Sequence, residues 1–494
     1  MPTPFFQRAD YVAITPEIVV ALFGLGILLI DFLIQEKRDK YLNAVTALIG
    51  LGMAAVQLLR FWRGALLPSP YSGFGGSLVV DTFAIYFQLL IVVATAIVVL
   101  ISAKYLEIED AHLGEYYALL LFSAVGMMFM AAGRDLIVLF IALELMALCE
   151  YVLTGFLRGN RRSNEAAMKF FLLGAFSSGL LLYGMSLLYG IANSTNLAVI
   201  AERLADRPAG DPLSWMAMIT LLAGLFFKIA AVPFHQWTPD AYEGAPTSIT
   251  AFISVAPKAA SFAILLRILM VGLWPMREEW KLLTIGVAVA TMTLGNLAAI
   301  TQTNIKRFFG YSTISHVDYL LLGLIAAADG NPEGLTAIAI YLLVYTFMNL
   351  GAFAVIIMMR RQNLIGDEID DLSGLMARAP GLAILMLIFL LSLAGIPPTA
   401  GFIGKYFIFL ALIETQHYVL AVVAVAYAVV ALYYYFRIVV AMFMKKAPDS
   451  VPLATSPGLS VALGVTLTVT LMVGVYPQPF IVFAREAIRP FFSF

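Results

Sequence analysis

The segment LLAGLFFKIAAVPFHQWTPDAYEGAPT, residues 221–247, puts a lysine and a proline inside an apolar run long enough to cross a membrane. Pro233 has no backbone N–H, so the carbonyl of Ile229 loses its helical partner immediately after Lys228. The segment therefore predicts a membrane helix that breaks beside a buried lysine.

The segment LSLAGIPPTAGFIGKYFIF, which begins at Leu391, has the same arrangement. Pro397 and Pro398 leave two carbonyls without partners, including that of Ala394, and Lys405 follows in the same span. Irregular backbone at membrane depth persists only where protein or a water-filled cavity satisfies it, and paired breaks are typical of transport pathways. For either span alone, a packing kink is the alternative.

The composition excludes a water-soluble globule. Of the 494 residues, 62% are hydrophobic and 12% are charged, against roughly 25% charged in soluble proteins. The formal net charge of -1 gives no indication of a nucleic-acid-binding surface. A single cysteine, Cys149, cannot form an internal disulfide or supply the cysteines of an iron–sulfur cluster or a structural zinc site. No cofactor or metal is therefore expected in this chain.

Apolar runs of about 20 residues, the length that crosses a bilayer, recur along the whole chain. They predict an all-α polytopic membrane protein with fourteen transmembrane helices. The first span lacks a basic start and a cleavage site, which favours a retained helix over a signal peptide. The predicted spans are approximately 13–34, 42–62, 79–104, 112–132, 135–157, 165–191, 213–242, 247–273, 281–303, 308–328, 334–360, 380–413, 417–444 and 457–480.

The two broken spans are the seventh and the twelfth, so an offset of five spans relates them. This predicts two five-helix repeats, spans 4–8 and spans 9–13, and an odd offset inverts the second repeat. The predicted units are 1–110 with spans 1–3, 111–275 with the first repeat, 276–446 with the second repeat, and 447–494 with span 14.

The loops predict the orientation in the membrane, because basic loops are retained on the cytoplasmic side. Loops after odd-numbered spans carry 14 Lys and Arg residues, whereas loops after even-numbered spans and the two termini together carry ten. Both termini are therefore expected on the non-cytoplasmic side. A bacterial plasma membrane is expected, and an organellar inner membrane of the same polarity stays open.

Ionisable residues inside apolar spans are costly and usually functional. A buried lysine beside a carboxylate changes protonation state readily, and histidine relays protons between such groups. Glu144 and Glu150 lie six positions apart on one helix, about 240 degrees of rotation, so different neighbours are expected. The candidates are Glu144, Glu150, Lys169, Lys228, His235, Lys258, Arg267, His316, Asp318 and Lys405.

Each candidate also has a simpler interpretation. A lysine near a span end can extend its ammonium group to the membrane surface. Lys228, Lys258 and Lys405 lie several residues from their span ends, which disfavours this interpretation for them. Arg267 and Lys169 lie closer to span ends, so an interfacial anchor is as good an explanation as a pathway role. His235 is equally well explained as a core residue that bonds the backbone freed by Pro233.

Four stretches of the chain resemble one known family. They are LFIALELMALCEYVLTGF at 139–156, FFKIAAVPFHQWTPDAYEGAPTSITAFISVAPKAA at 226–260, NIKRFFGYSTISH at 304–316 and the segment at 391–409. The chain resembles the antiporter-like membrane subunits of proton-pumping NADH:quinone oxidoreductase, respiratory complex I, over nearly its full length. The resemblance implies a fourteen-helix proton-translocating module with inverted repeats.

The resemblance also implies roles for five residues. Glu144 would be the carboxylate partner of Lys228, the pumping lysine on the broken seventh helix. Lys258 would be the central lysine of the eighth helix, His316 the relay on the tenth, and Lys405 the lysine of the second half. Lysine rather than glutamate at position 405 disfavours the subunit M branch, and the absence of a long C-terminal extension disfavours subunit L, which leaves the subunit N branch.

Two positions depart from the family pattern. Asp318 stands where a small residue is usual, and Glu150 stands where an uncharged residue is usual. Either residue adds a relay site or pairs with a cation of a partner subunit. GFIGKY lacks the glycine spacing and the hydroxyl residue of a phosphate loop, and no G-x-G-x-x-G fingerprint is present.

NADH, FMN, iron–sulfur clusters and quinone are therefore expected in partner subunits, together with neighbouring membrane-arm subunits. Two alternatives stay open for the chain itself. One is a subunit of a multi-subunit sodium/proton antiporter, which resembles the same family. The other is a structural membrane-arm subunit whose lysines serve assembly.

Overall fold

The computed structural model describes residues 7–33, 40–111, 113–208, 210–359, 367–446 and 456–492. Within these ranges the chain is almost entirely helical. Four loop cations that contribute to the predicted orientation, Lys37, Arg38, Arg360 and Arg361, lie outside the described residues, as do the ends of the predicted spans at 34, 112 and 360.

The helices follow one another with short connections. Their bounds are α1 Arg8–Ala13, α2 Thr15–Leu33, α3 Tyr41–Trp62, α4 Thr82–Ile108, α5 Gly114–Ala132, α6 Leu136–Thr154, α7 Arg161–Ala192, α8 Leu197–Ala205, α9 Pro212–Ile229, α10 Trp237–Gly244, α11 Thr247–Arg267, α12 Arg277–Ile300, α13 Ile305–Ala328, α14 Pro332–Met359, α15 Leu375–Arg378, α16 Pro380–Ala394, α17 Ala400–Glu414, α18 Tyr418–Met444, α19 Pro457–Val475 and α20 Gln478–Ile488.

The prediction of fourteen spans is confirmed. In the described part of the chain, thirteen helical segments are long and apolar enough to cross a membrane. The remaining predicted span, the twelfth, is divided between α16 and α17, each of which is too short alone. The seventh span is likewise divided, between α9 and α10. Both predicted helix breaks are therefore present, five spans apart.

Several short elements between the spans were not predicted. Strands β1, Tyr71–Gly73, and β2, Leu78–Val80, form an antiparallel hairpin between α3 and α4. Asp10 accepts hydrogen bonds from the Tyr71 hydroxyl at 2.7 Å and from the backbone N–H of Phe74 at 3.1 Å, which ties this hairpin to α1. The backbone N–H of Gln7 and the Tyr71 hydroxyl lower the pKa of Asp10.

Burial divides the bundle into a centre and a periphery. Every residue of α11 is buried, and so is every residue of α14 from Gly334 to Met359. The peripheral helices expose large apolar side chains, such as Phe32 at 88% and Val419 at 77%. An apolar outer surface is what a bilayer requires, because lipid tails offer no hydrogen bonds. The polar groups of α11 and its neighbours therefore lie in the interior of the bundle.

Arg267 holds two central helices together, which corrects the interpretation of this residue as an interfacial anchor. Its guanidinium is fully buried and binds both carboxylate oxygens of Asp81, at 2.7 and 3.1 Å, and the carbonyl of Ala131 at 3.0 Å. Asp81 also caps α4 by accepting from the N–H of Ala84 at 2.8 Å. The ion pair thus joins the end of α11 to the start of α4.

Replacement of Asp81 by asparagine is expected to lower the free energy of unfolding by about 3–5 kcal/mol, because it leaves the Arg267 guanidinium buried and uncompensated. Thermal unfolding of the purified full-length chain, followed by circular dichroism, measures the effect. The control is Asp370→Asn, which removes an ion pair with Lys445 between side chains that are 78% and 51% exposed. Equal losses in the two variants would contradict the prediction.

Candidate functional site

The first helix break lies where the proline predicts it. Helix α9 ends at Ile229, Ala230 takes a left-handed conformation with φ 64°, and regular helix resumes only at Trp237. The carbonyl of Ile229, which loses its helical partner, accepts a hydrogen bond from Lys258 Nζ at 3.0 Å. A buried ammonium on α11 thus replaces the missing backbone donor.

The same break is bonded a second time by an aromatic side chain. Trp237 Nε1 donates to the carbonyl of Phe227 at 2.9 Å, and Lys258 Nζ lies 5.8 Å from the centroid of the Trp237 ring. An ammonium over an aromatic face gains electrostatic stabilisation, the more so away from water. Lys258 is therefore held by a carbonyl and a ring at the same time.

The second break repeats this chemistry with different residues. Helix α16 ends at Ala394, Gly395 is left-handed with φ 84°, and α17 begins at Ala400. Lys405 Nζ donates to the carbonyl of Ala394 at 3.0 Å. In the first half the bonding lysine comes from the next span, whereas here it comes from the second segment of the broken span itself.

Lys228 is buried but has no close counterion. Its Nζ lies 3.5 Å from the Tyr151 hydroxyl, and within the described residues no carboxylate comes within 4.0 Å of it. Glu144 instead accepts a hydrogen bond from Ser178 at 2.5 Å. Glu144 and Glu150 both act electrostatically on Lys228. Only Glu150 also acts on Lys258.

Glu150 occupies a more central place than the sequence indicates. Its side chain is buried, and its Oε1 atom accepts no hydrogen bond from the described part of the chain. Its charge acts on both Lys228 and Lys258. Glu150 is therefore a buried carboxylate that interacts electrostatically with both lysines of the first half.

Asp318 has a comparable place in the second half. It is fully buried on α13, and neither of its carboxylate oxygens accepts a hydrogen bond from the described residues. Asp318 and Lys405 act on each other electrostatically, and Lys405 Nζ also lies 4.8 Å from the centroid of the Tyr319 ring. The second half thus has its own buried lysine and carboxylate.

His316 lies in a chain of hydroxyl groups that sequence reasoning missed. Its Nδ1 is 2.7 Å from the Tyr341 hydroxyl and its Nε2 is 3.0 Å from the Tyr435 hydroxyl, which in turn is 2.5 Å from Ser312 Oγ. Hydroxyl groups both donate and accept, so this chain accommodates either tautomer of the imidazole. The signal available in the sequence was the run Tyr433–Tyr435 inside an apolar span, where buried tyrosines need polar partners.

Two secondary candidates lie apart from these buried groups. Lys169 is 45% exposed and forms ion pairs with Glu165 and Asp240, both at 2.9 Å. His235 is half-buried in the irregular segment after α9, and its Nδ1 has no hydrogen-bond partner among the described residues. Nor do three or more potential metal ligands cluster anywhere in the described ranges.

Comparison with known proteins assigns the chain to one protein family. Residues 133–431 match the family described as "NADH:quinone oxidoreductase/Mrp antiporter, TM". NADH-quinone oxidoreductase subunit N 1 of Koribacter versatilis is 56% identical over 484 residues, which cover 96% of this chain and 94% of that protein. NADH-quinone oxidoreductase subunit N 2 of Solibacter usitatus is 55% identical over 491 residues, 98% of each chain.

Solved structures have the same fold. A chain of respiratory complex I from Thermus thermophilus is 30% identical, with a TM-score of 0.78 over 95% of this chain and 99% of that one. A chain of the Mrp complex from Dietzia sp. is 24% identical, with a TM-score of 0.81 over 97% and 98% of the two chains. At that identity the second likeness concerns the fold alone.

Gly401→Ala is expected to destabilise the second break by about 1–3 kcal/mol, because a Cβ atom would lie 1.7 Å from the Ser392 carbonyl oxygen. Gly464→Ala is the matched control, since a Cβ at this exposed helical glycine meets nothing within 4 Å. Alanine favours helix over glycine, so the control should melt at the same temperature or higher. The prediction fails if both variants melt like the unchanged protein.

Proposed function

Because the chain belongs to the subunit N family of NADH-quinone oxidoreductase, the antiporter-like membrane subunits of complex I, we propose that it moves protons across the membrane while its partner subunits carry out the redox chemistry. NADH, FMN, iron–sulfur clusters and quinone belong to those partners in this proposal. The neighbouring partners are other antiporter-like and small membrane-arm subunits.

One observation carries the proposal. Lys228, Lys258 and Lys405 are each at most 7% exposed inside an apolar bundle. Burying an ionisable group in such a setting costs on the order of several kcal/mol unless the group is paired or hydrated. Such groups are therefore retained mainly for function. Two of these lysines also bond the carbonyls at the helix breaks, where transporters place their ion sites.

In the first half, protons pass among Glu144, Lys228, Glu150 and Lys258. Among the described residues no carboxylate forms a tight ion pair with Lys228, which supports this role, since a lysine locked to a carboxylate at short range would hold its proton. Glu150 acts on both lysines and is positioned to alter the protonation of each. Redox energy from the partners drives the changes in hydration and charge that move the proton.

In the second half, His316 connects to Lys405 and Asp318. The hydroxyls of Tyr341 and Tyr435 on either side of the imidazole extend its reach across α13, α14 and α18. Histidine changes charge near neutral pH and transfers protons through both ring nitrogens. His316 therefore relays protons between the two halves.

The division of the chain follows from the same proposal. Segment 111–275 is the first transport unit and 276–446 is the second, flanked by 1–110 and 447–494. The protein lies in a bacterial plasma membrane with both termini on the non-cytoplasmic side, because the loops after odd-numbered spans are the more basic ones.

A sodium/proton antiporter subunit is the second candidate. The matching family includes both NADH:quinone oxidoreductase and Mrp antiporter subunits, which supports this candidate. The two candidates differ in what drives transport. Proton uptake that follows quinone reduction and is indifferent to sodium supports the first. Sodium-dependent transport without quinone reduction supports the second.

Lys228→Ala is expected to abolish the proton uptake that passes through this chain, because it removes a protonatable group from the buried series. The measurement compares quinone reduction and proton uptake by the native complex in vesicles, after assembly of the complex has been checked. Lys169→Ala is the matched control, since Lys169 is a half-exposed lysine in surface ion pairs.

Three results of this experiment are informative. An assembled Lys228→Ala complex with reduced proton uptake, beside a normal Lys169→Ala complex, supports the proposal. An assembled complex with normal uptake overturns the role of Lys228. Loss of assembly upon replacement of Lys405 as well would favour a structural membrane-arm subunit instead.

Glu150→Gln is expected to reduce proton uptake as much as Lys228→Ala, because the amide keeps the shape of the side chain but cannot ionise. The control is Glu165→Gln, at a glutamate that is 60% exposed and pairs with Lys169. Protons taken up per quinone reduced is the quantity to measure. Normal uptake in Glu150→Gln would leave Glu144 as the sole carboxylate partner of Lys228.

A further inference from the structure

A cavity of about 820 Å³ lies away from the buried lysines, at one boundary of the apolar spans. The π-helical turn Ile268–Gly272, which extends α11, forms one side of it, and the short 3-10 helix Trp274–Met276 before α12 forms another. The start of α4, helix α8, the segment Ser69–Pro70, Arg134, and α20 with the turn after it also line the cavity. Its volume falls within the range of about 300–1,000 Å³ typical of small-ligand sites.

The charged part of the lining is positive. Three arginines, Arg134, Arg267 and Arg489, face two carboxylates, Asp81 and Glu486, so the formal charge is three minus two, or +1. Asp81 accepts two hydrogen bonds from Arg267 and one from the backbone N–H of Ala84, and Glu486 lies 3.7 Å from Arg489. The carboxylates thus leave one guanidinium uncompensated.

That guanidinium belongs to Arg134. It has no ion pair among the described residues, and its Nε is buried without a hydrogen-bond acceptor. Burial and the nearby charge of Arg267 lower the pKa of Arg134, although Asp81 opposes the effect. An arginine presents five N–H donors and stays charged in proteins, so this half-buried guanidinium, without an ion pair among the described residues, favours an anion.

Most of the remaining lining residues are apolar, although Ser69 and Thr82 are polar. Met270, Val271, Trp274 and Phe491 line the same cavity. Tryptophan is enriched at the membrane–water boundary, where its ring meets headgroups and the upper part of the acyl chains. A ligand that fills this cavity therefore combines an anionic group with hydrocarbon.

We propose that this cavity binds the phosphate of an anionic phospholipid, with Arg134 as the principal donor to the phosphate and the apolar wall in contact with the upper acyl chains. Arginine binds phosphate oxygens through two parallel N–H bonds, a geometry that fits the phosphate of a phospholipid headgroup. The site is separate from the residues proposed to transfer protons, since Lys228, Lys258 and Lys405 do not line the cavity.

Two other occupants share part of this chemistry. Inorganic phosphate would satisfy Arg134 but would leave the apolar wall in contact with water. A carboxylate from a partner subunit would satisfy the charge without a phosphate. The apolar residues beside the arginines favour the lipid over both.

The test uses the full-length chain, purified in an uncharged detergent and examined by native mass spectrometry. The probes are phosphatidylglycerol and phosphatidylcholine with identical acyl chains, and inorganic phosphate. Arg134→Gln removes the charge while keeping a polar side chain. Arg203→Gln is the control, because Arg203 is an exposed arginine outside this cavity.

The unchanged protein should retain one phosphatidylglycerol more tightly than phosphatidylcholine. Arg134→Gln should weaken phosphatidylglycerol binding about tenfold, the usual loss for a hydrogen bond to a charged group, whereas Arg203→Gln should leave it unchanged. Equal binding of the two lipids, equal effects of the two variants, or displacement of the lipid by inorganic phosphate at the same concentration would overturn the proposal.

Two further measurements keep the proposal testable if Arg134→Gln does not fold. Arg489 is 74% exposed, so Arg489→Gln is well tolerated and should weaken phosphatidylglycerol binding about threefold; an unchanged affinity would count against the site. A photoreactive benzoylphenylalanine in place of Trp274 should label lipid in native membranes that contain the whole complex. A cross-link to a protein subunit instead would assign the cavity to a partner.

Discussion

The structure depends on a simple constraint: a backbone carbonyl freed inside a membrane must find another donor. At both helix breaks that donor is a lysine, Lys258 for the carbonyl of Ile229 and Lys405 for that of Ala394. Each proline removes a backbone donor and leaves a carbonyl without a partner, and the buried lysine donates a hydrogen bond to that carbonyl. The groups that stabilise the broken helices are therefore the same groups that supply buried charge, which is why the architecture and the proposed proton chemistry of this chain cannot be separated.

The surrounding bundle gives these charges their setting. Helices α11 and α14 are buried on all sides, so the polar groups they carry lie away from lipid. In each half a carboxylate, Glu150 or Asp318, is buried, and at least one of its oxygens accepts no hydrogen bond from the part of the chain that the structure describes. The two halves are alike in these elements but not in detail, since the bonding lysine comes from a different segment in each.

The spans and the breaks were predictable because each rests on a local property of the chain. Apolar length determines where helices cross the membrane, and proline determines where they stop. The contacts of the site were not predictable, because they depend on distances between helices. The sequence placed Arg267 near a span end without indicating its partner Asp81, 186 positions away. It also identified His316 but not the tyrosine hydroxyls on both sides of its ring, of which Tyr435 lies 119 positions away.

The hydrogen bond from lysine to carbonyl has a consequence for the durability of the breaks. An ammonium has three N–H donors, and the neutral amine that remains after it gives up a proton still has two. A single donor is enough for the carbonyl of Ile229 or Ala394. The irregular backbone therefore has a donor for its carbonyl whether the lysine is charged or neutral, so a change in the protonation of the lysine does not by itself leave the helix end unbonded.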